Sequence, residues 1–134
     1  MKFKLTTLSV FISSILLLFG CEEENFSKNA GQYALAISYQ GQGVVELHFF
    51  IDDNDCGLLS AMPKVNPTYI DDCKKLKKAE NLTNIFILKD VNPGKHVLKI
   101  KTPEGVVVNT LEFEMLDREC ILQSVNIPLD RQSK

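Results

Sequence analysis

The chain has no tryptophan among its 134 residues, and only three tyrosines and two histidines. Sugar-binding platforms lean on flat aromatic faces, so this scarcity argues against a lectin. The histidines, His48 and His96, stand apart, without an HxxxH or CxxC partner, which makes them poor zinc ligands. There is no GxSxG, no Walker loop and no carboxylate pair at helical spacing. A Cys120 nucleophile with His96 as base is the remaining catalytic pairing, and an exported thiol is a poor starting point for it. Basic excess is also missing. The net charge is −2, and taking Lys2 and Lys4 from the 15 basic residues leaves 13 against 17 acidic ones, or −4. Nucleic acids and anionic membranes both attract a cationic face, which this body does not offer. Internal repeats and low-complexity segments are absent, and 45% hydrophobic with 24% charged residues is ordinary for one globular domain.

What is present begins at the N-terminus. MKFK is a short basic start, and Leu5 to Phe19 (LTTLSVFISSILLLF) is apolar but for threonine and serine. That run falls short of the ~20 residues a spanning helix needs and has the plan of an export signal. It ends in LFGC, Leu18 to Cys21, followed by EEEN. This segment resembles the lipobox of bacterial lipoproteins: an aliphatic residue, a tolerant position, a small residue, then cysteine. The resemblance implies cleavage after residue 20, a diacylglycerol on the Cys21 sulfur and acylation, as by palmitate, of the freed amine. One acyl chain binds a bilayer only marginally, whereas two or more hold a domain firmly, at about 0.8 kcal/mol per buried methylene. The acidic run after Cys21 is similar to the signal that carries some Gram-negative lipoproteins to the outer face of the outer membrane. Cell-surface display is therefore the first expectation and the periplasmic face the alternative. No cofactor is expected beyond the covalent lipid. Residues 21–31 form the lipidated cysteine and a polar tether, 32–130 the domain, and 131–134 a polar tail.

The body alternates with period two. Tyr33, Leu35, Ile37 and Tyr39 share one face, and Val45, Leu47, Phe49 and Ile51 another, with glycines between the two runs. NIFILKD, KHVLKIK, VVVNTLEFEML and CILQSVNIPL continue the pattern, separated by the turns VNPG, TPEG and DRE. Six strands without a long amphipathic helix predict an antiparallel β-sandwich. The run FILKDVNPGKHVLKIKTPEG resembles small immunoglobulin-like and transthyretin-like sandwiches of extracytoplasmic proteins, which bears on fold and not on function.

Between Ile51 and Thr83 this grammar stops. A connection of such length carries structure or function of its own. A short helix over IDDCKKLKKAENL, capped by Asp71 or Asp72, is one expectation. Asp52, Asn54 and Gly57 fall at positions 1, 3 and 6 of a calcium loop, but Cys56 and Pro63 occupy positions 5 and 12, so the pattern fails. An ion site gathering Asp52, Asp53, Asp55, Asp71 and Asp72 is a lesser reading, and no metal is expected. Residues 52–82 are the expected partner-binding surface, with Asp52, Asp53, Asp55, Tyr69, Asp71 and Asp72 its candidate contacts. KKLKK, Lys74 to Lys78, reads as a solvated face beside these acids.

With Cys21 lipidated, Cys56, Cys73 and Cys120 remain in an oxidising compartment. A simple meander puts Cys56 and Cys73 at one end and Cys120 about 25 Å away. The expected disulfide is Cys56–Cys73, contributing roughly 3 kcal/mol. A connection that crosses the sandwich would instead bring Cys120 to the Cys56 end. The leading functional reading is a non-enzymatic, lipid-anchored outer-membrane module that binds or scaffolds an envelope component. The alternative is a lipoprotein subunit of an envelope machine such as a secretion system. A surface lectin-like or ion-binding module ranks third.

Overall fold

The computed structural model describes residues 28–77 and 82–128. Seven strands follow in order: β1 Gly31–Tyr39, β2 Val45–Ile51, β3 Asn54–Ala61, β4 Ile85–Val91, β5 Gly94–Lys101, β6 Val107–Met115 and β7 Cys120–Ile127. They form a β-sandwich of a three-stranded sheet, β4-β1-β7, and a four-stranded sheet, β3-β2-β5-β6. All neighbours are antiparallel except β1 and β7, which run parallel over eight residues. Constant-type immunoglobulin domains unite their first, second, fourth and fifth strands in one sheet. This chain sets its first strand beside the fourth and seventh instead.

The alternation seen in the sequence sorts the residues. Tyr33, Leu35, Ile37 and Tyr39 of β1 are buried, and so are Leu47 and Phe49 of β2, Leu98 and Ile100 of β5, and Phe113 and Met115 of β6. Two aromatic stacks tie the layers together. Phe49 lies on Phe86 with ring centroids 3.7 Å apart, and Tyr33 lies on Phe113 at 4.4 Å. Each joins one sheet to the other, and such pairs add about 1 kcal/mol beyond the area they bury. Tyr33 donates its hydroxyl hydrogen to Gln123 Oε1 at 2.8 Å, and burial pushes its pKa well above the usual phenol value. Where the chain enters β1, Gly31 passes against Met115 and the Glu119 carbonyl too closely to admit a Cβ.

Two expectations about residues 52–82 are corrected. First, 54–61 is a strand: β3 pairs with β2 from Ile51↔Asn54 to Val45↔Ala61. It was hidden because it is an edge strand, with most of its side chains in solvent and no strong alternation. Second, the remaining connection crosses the outer face of the three-stranded sheet. It leaves the end of the sandwich where β1 finishes, where the Lys64 amide donates to the Tyr39 carbonyl at 2.8 Å. It then packs Ile70, Cys73 and Leu76 over Ala34 and Ile85, forming a second small core. Of the expected helix, the described residues show a short 3-10 helix, Cys73–Lys77, with Asp72 Oδ1 accepting from the Lys74 amide at 2.9 Å, and residues 78–81 lie outside the described residues.

The crossing decides the disulfide. Cys73 is carried to the start of β7 and bonds Cys120, with a Cα–Cα distance of 5.9 Å. Cys56–Cys73 is therefore overturned. Cys56 lies in β3, in the other sheet, and packs against the main core.

Candidate functional site

The β2–β3 hairpin turns on two residues alone. Asp52 and Asp53 have φ of 49° and 66°, the doubly left-handed backbone of a type I′ turn. Aspartate tolerates that region because its short side chain can bond locally. Opposite, the β4–β5 turn passes through Asn92 and Pro93 into Gly94, whose φ is 132°. The two turns lie at the same end of the sandwich, and His96 links them.

Asp52 Oδ2 receives a hydrogen bond from His96 Nδ1 at 2.7 Å, and Asp52 Oδ1 accepts from the Val97 amide at 2.9 Å. His96 Nε2 faces the Asn92 carbonyl at 2.7 Å. Both partners of the ring are oxygen acceptors, so both bonds form together only when both nitrogens carry hydrogen. The ring is 14% exposed and tilts against Phe113, 5.3 Å between centroids. Burial alone would raise the Asp52 carboxyl. The Val97 amide and the His96 ring, through its hydrogen bond and charge, outweigh that and hold the pKa below its ordinary value.

Beside this clamp lies a cleft of 190 Å³, bordered by Asp52, Cys56, Leu88, Asp90, Asn92 and His96. Thiol, imidazole and carboxylate thus share a border, which the sequence did not suggest. Their bonds do not form a nucleophilic relay. A base must turn a nitrogen lone pair toward the thiol, whereas His96 spends Nε2 on a backbone carbonyl, and the Cys56 sulfur contacts the Asn54 carbonyl at 3.3 Å. Cys120, the thiol earlier weighed with His96, is in the disulfide. His48 sits on the outer face of β2 and pairs with Glu46 at 2.6 Å.

The six candidate contact residues divide into two groups. Asp52, Asp53 and Asp55 belong to the β2–β3 hairpin, whereas Tyr69, Asp71 and Asp72 ride the crossing over the other sheet. Tyr69 is the most exposed large hydrophobic residue there, at 82%. The carboxylates are spoken for one by one. Asp53 pairs with Lys99 at 2.8 Å, Asp55 accepts from the Gly57 amide, Asp71 pairs with Lys75 at 2.5 Å, and Asp72 caps the 3-10 turn. Hydrogen bonding to Lys99 and to Lys75 lowers the pKa of Asp53 and of Asp71 respectively. Among the described residues no three His, Cys, Asp or Glu side chains are grouped to hold a metal ion, and the acids do not converge as the ion-site reading required.

Cys21, the leader and the acidic run lie outside the described residues. Among the described residues, no helix is long and apolar enough to cross a membrane. No protein-family model matches the chain, and no curated protein matches it either.

Proposed function

We propose that the chain is a lipid-anchored outer-membrane lipoprotein, displayed at the cell surface, whose β-sandwich is a non-enzymatic binding or scaffolding module. The observation that carries this reading is LFGC at Leu18 to Cys21, placed after a basic start and a short apolar run and before EEEN. The body suits the role. A rigid sandwich presents its connections for recognition, and the exposed Tyr69 beside Asp71 and Asp72 offers one such surface. The ion pairs and caps that engage the acidic residues favour a contact surface over a chemical centre. The candidate cleft supports the same reading, since its histidine braces two turns rather than serving a nucleophile.

The test is metabolic labelling with palmitate in a Gram-negative host. The wild-type chain takes up label and fractionates with the outer membrane, and Cys21→Ala does neither. A wild type without label, or an alanine variant still held in the membrane, overturns the anchor. Protease added to intact cells separates the faces: digestion supports surface display, and protection until the outer membrane is opened places the domain on the periplasmic side.

A further inference from the structure

His96 touches two turns at once through its two ring nitrogens. Nδ1 faces Asp52 Oδ2 and Nε2 faces the Asn92 carbonyl, each at 2.7 Å. Neither oxygen has a hydrogen to give: the Asp52 carboxyl is held below its ordinary value and is ionised, and a carbonyl only accepts. The arrangement therefore belongs to the charged ring, with a hydrogen on each nitrogen. Imidazole ordinarily loses the second of these between about pH 5 and 8.

The two acceptors are unequal. A hydrogen bond to a carboxylate is about twice as strong as one to a neutral carbonyl, and the Val97 amide holds Asp52 Oδ1 in place at 2.9 Å. The neutral ring keeps its hydrogen on Nδ1 and turns the Nε2 lone pair toward the Asn92 oxygen. Two lone pairs at 2.7 Å repel, so ring or turn must withdraw. The ring is confined against Phe113, with centroids 5.3 Å apart. The turn is not. Pro93 and Gly94 are exposed, and a Cβ added at Gly94 would meet nothing within 4 Å.

Other titratable groups surround the ring. Asp90 of β4 and Cys56 of β3 border the same cleft, and Lys95 of β5 borders a groove with Glu112 and Glu114 of β6. Both ring nitrogens are already engaged by Asp52 and Asn92. Tyr33, stacked on Phe113, stays a neutral phenol because burial raises its pKa.

We propose that His96 is a proton-operated latch: the charged ring fastens the Asn92–Gly94 turn at the border of the 190 Å³ cleft, and loss of the Nε2 proton to solvent releases that turn while the bond to Asp52 stays. The latch lies within the sandwich, so its test is independent of lipid on Cys21.

The experiment follows the ring nitrogens and backbone of the isotope-labelled chain from residue 21 onward, with Cys21→Ser, by NMR between about pH 5 and 8. His48, on the outer face of β2, gives a separate set of ring signals. The expected result is hydrogen on both His96 nitrogens in acid and on Nδ1 alone at the upper limit. On the same curve the Gly94 order parameter falls from about 0.85 toward 0.6. In His96→Gln it does not change with pH. In Asp52→Asn the side-chain amide donates to Nδ1 of the neutral ring, so Nε2 keeps its hydrogen and Gly94 stays ordered across the range. A wild-type ring that keeps both hydrogens throughout, or that keeps the one on Nε2, overturns the latch. So does a Gly94 order parameter that is constant in the wild type, or one that still falls in either variant.

Discussion

Asn84 Oδ1 accepts the Met62 amide hydrogen at 2.7 Å while Asn84 Nδ2 donates to the Met62 carbonyl at 2.9 Å. One side chain thus satisfies both backbone groups of the residue at which the chain leaves β3. Asn84 is 2% exposed, the one buried polar residue among those described, and it adopts a left-handed φ of 54°. Its own carbonyl accepts from the Ile37 amide, so it fastens the crossing to β1 as well. Asn84→Leu removes both bonds to Met62, and because Met62 itself is exposed water can replace them in part, so each weighs near the ordinary net value of about 1 kcal/mol. The expected loss is about 2 kcal/mol in urea unfolding. Asn84→Gly keeps the backbone conformation and loses the bonds, so a similar loss there assigns the effect to the side chain.

The Cys73–Cys120 bridge closes a loop with a sequence separation of 47. Loop entropy alone gives it about 4 kcal/mol. Replacing both cysteines by serine should lower the unfolding free energy by that order, whereas Cys56→Ser should change it by less than about 1.5 kcal/mol. Peptide mapping without reduction identifies the pair directly. A Cys56–Cys73 fragment would contradict the crossing.

Most of the sandwich was legible because its strands have one buried face. Tyr33 to Tyr39 and Val45 to Ile51 alternate so regularly that the core side follows from period two alone. β3 was not legible, since Leu58 is 56% exposed and only Ala61 is fully buried. A signal existed in Asp52-Asp53, two residues able to adopt left-handed backbone between Ile51 and a second apolar pair, Leu58 and Leu59. Missing that hairpin also misdirected the disulfide, because an added strand changes the end at which the connection starts. The His96–Asp52 clamp had no local signature. Its residues are 44 apart and meet only once two turns share an end.

That clamp makes a pH prediction. The Asp52 carboxyl sits below its ordinary 3.8 in the folded protein, its burial more than offset by the Val97 amide and His96. A carboxyl depressed on folding stabilises above its unfolded value and loses that contribution as pH falls through the folded one. Asp52→Asn should be less stable than wild type at neutral pH, by under about 1 kcal/mol because the side chain is 44% exposed and screened. The gap should close as pH falls below about 4. A gap that widens in acid would contradict the assignment.

Gly31 gives a packing test at the point where the chain enters β1. A methyl group there meets Met115 and the Glu119 carbonyl. Gly31→Ala should cost about 1–3 kcal/mol, as overpacking does. A neutral substitution would mean that the β6–β7 turn yields.

The anchor is tested most directly by the mass of the N-terminal peptide of protein extracted from membranes. A chain beginning at Cys21, heavier by a diacylglyceryl group on sulfur and an acyl group on nitrogen, is the predicted species. A peptide that still contains the residues before Cys21, or one that begins at Cys21 with a bare thiol and amine, contradicts the tethered reading.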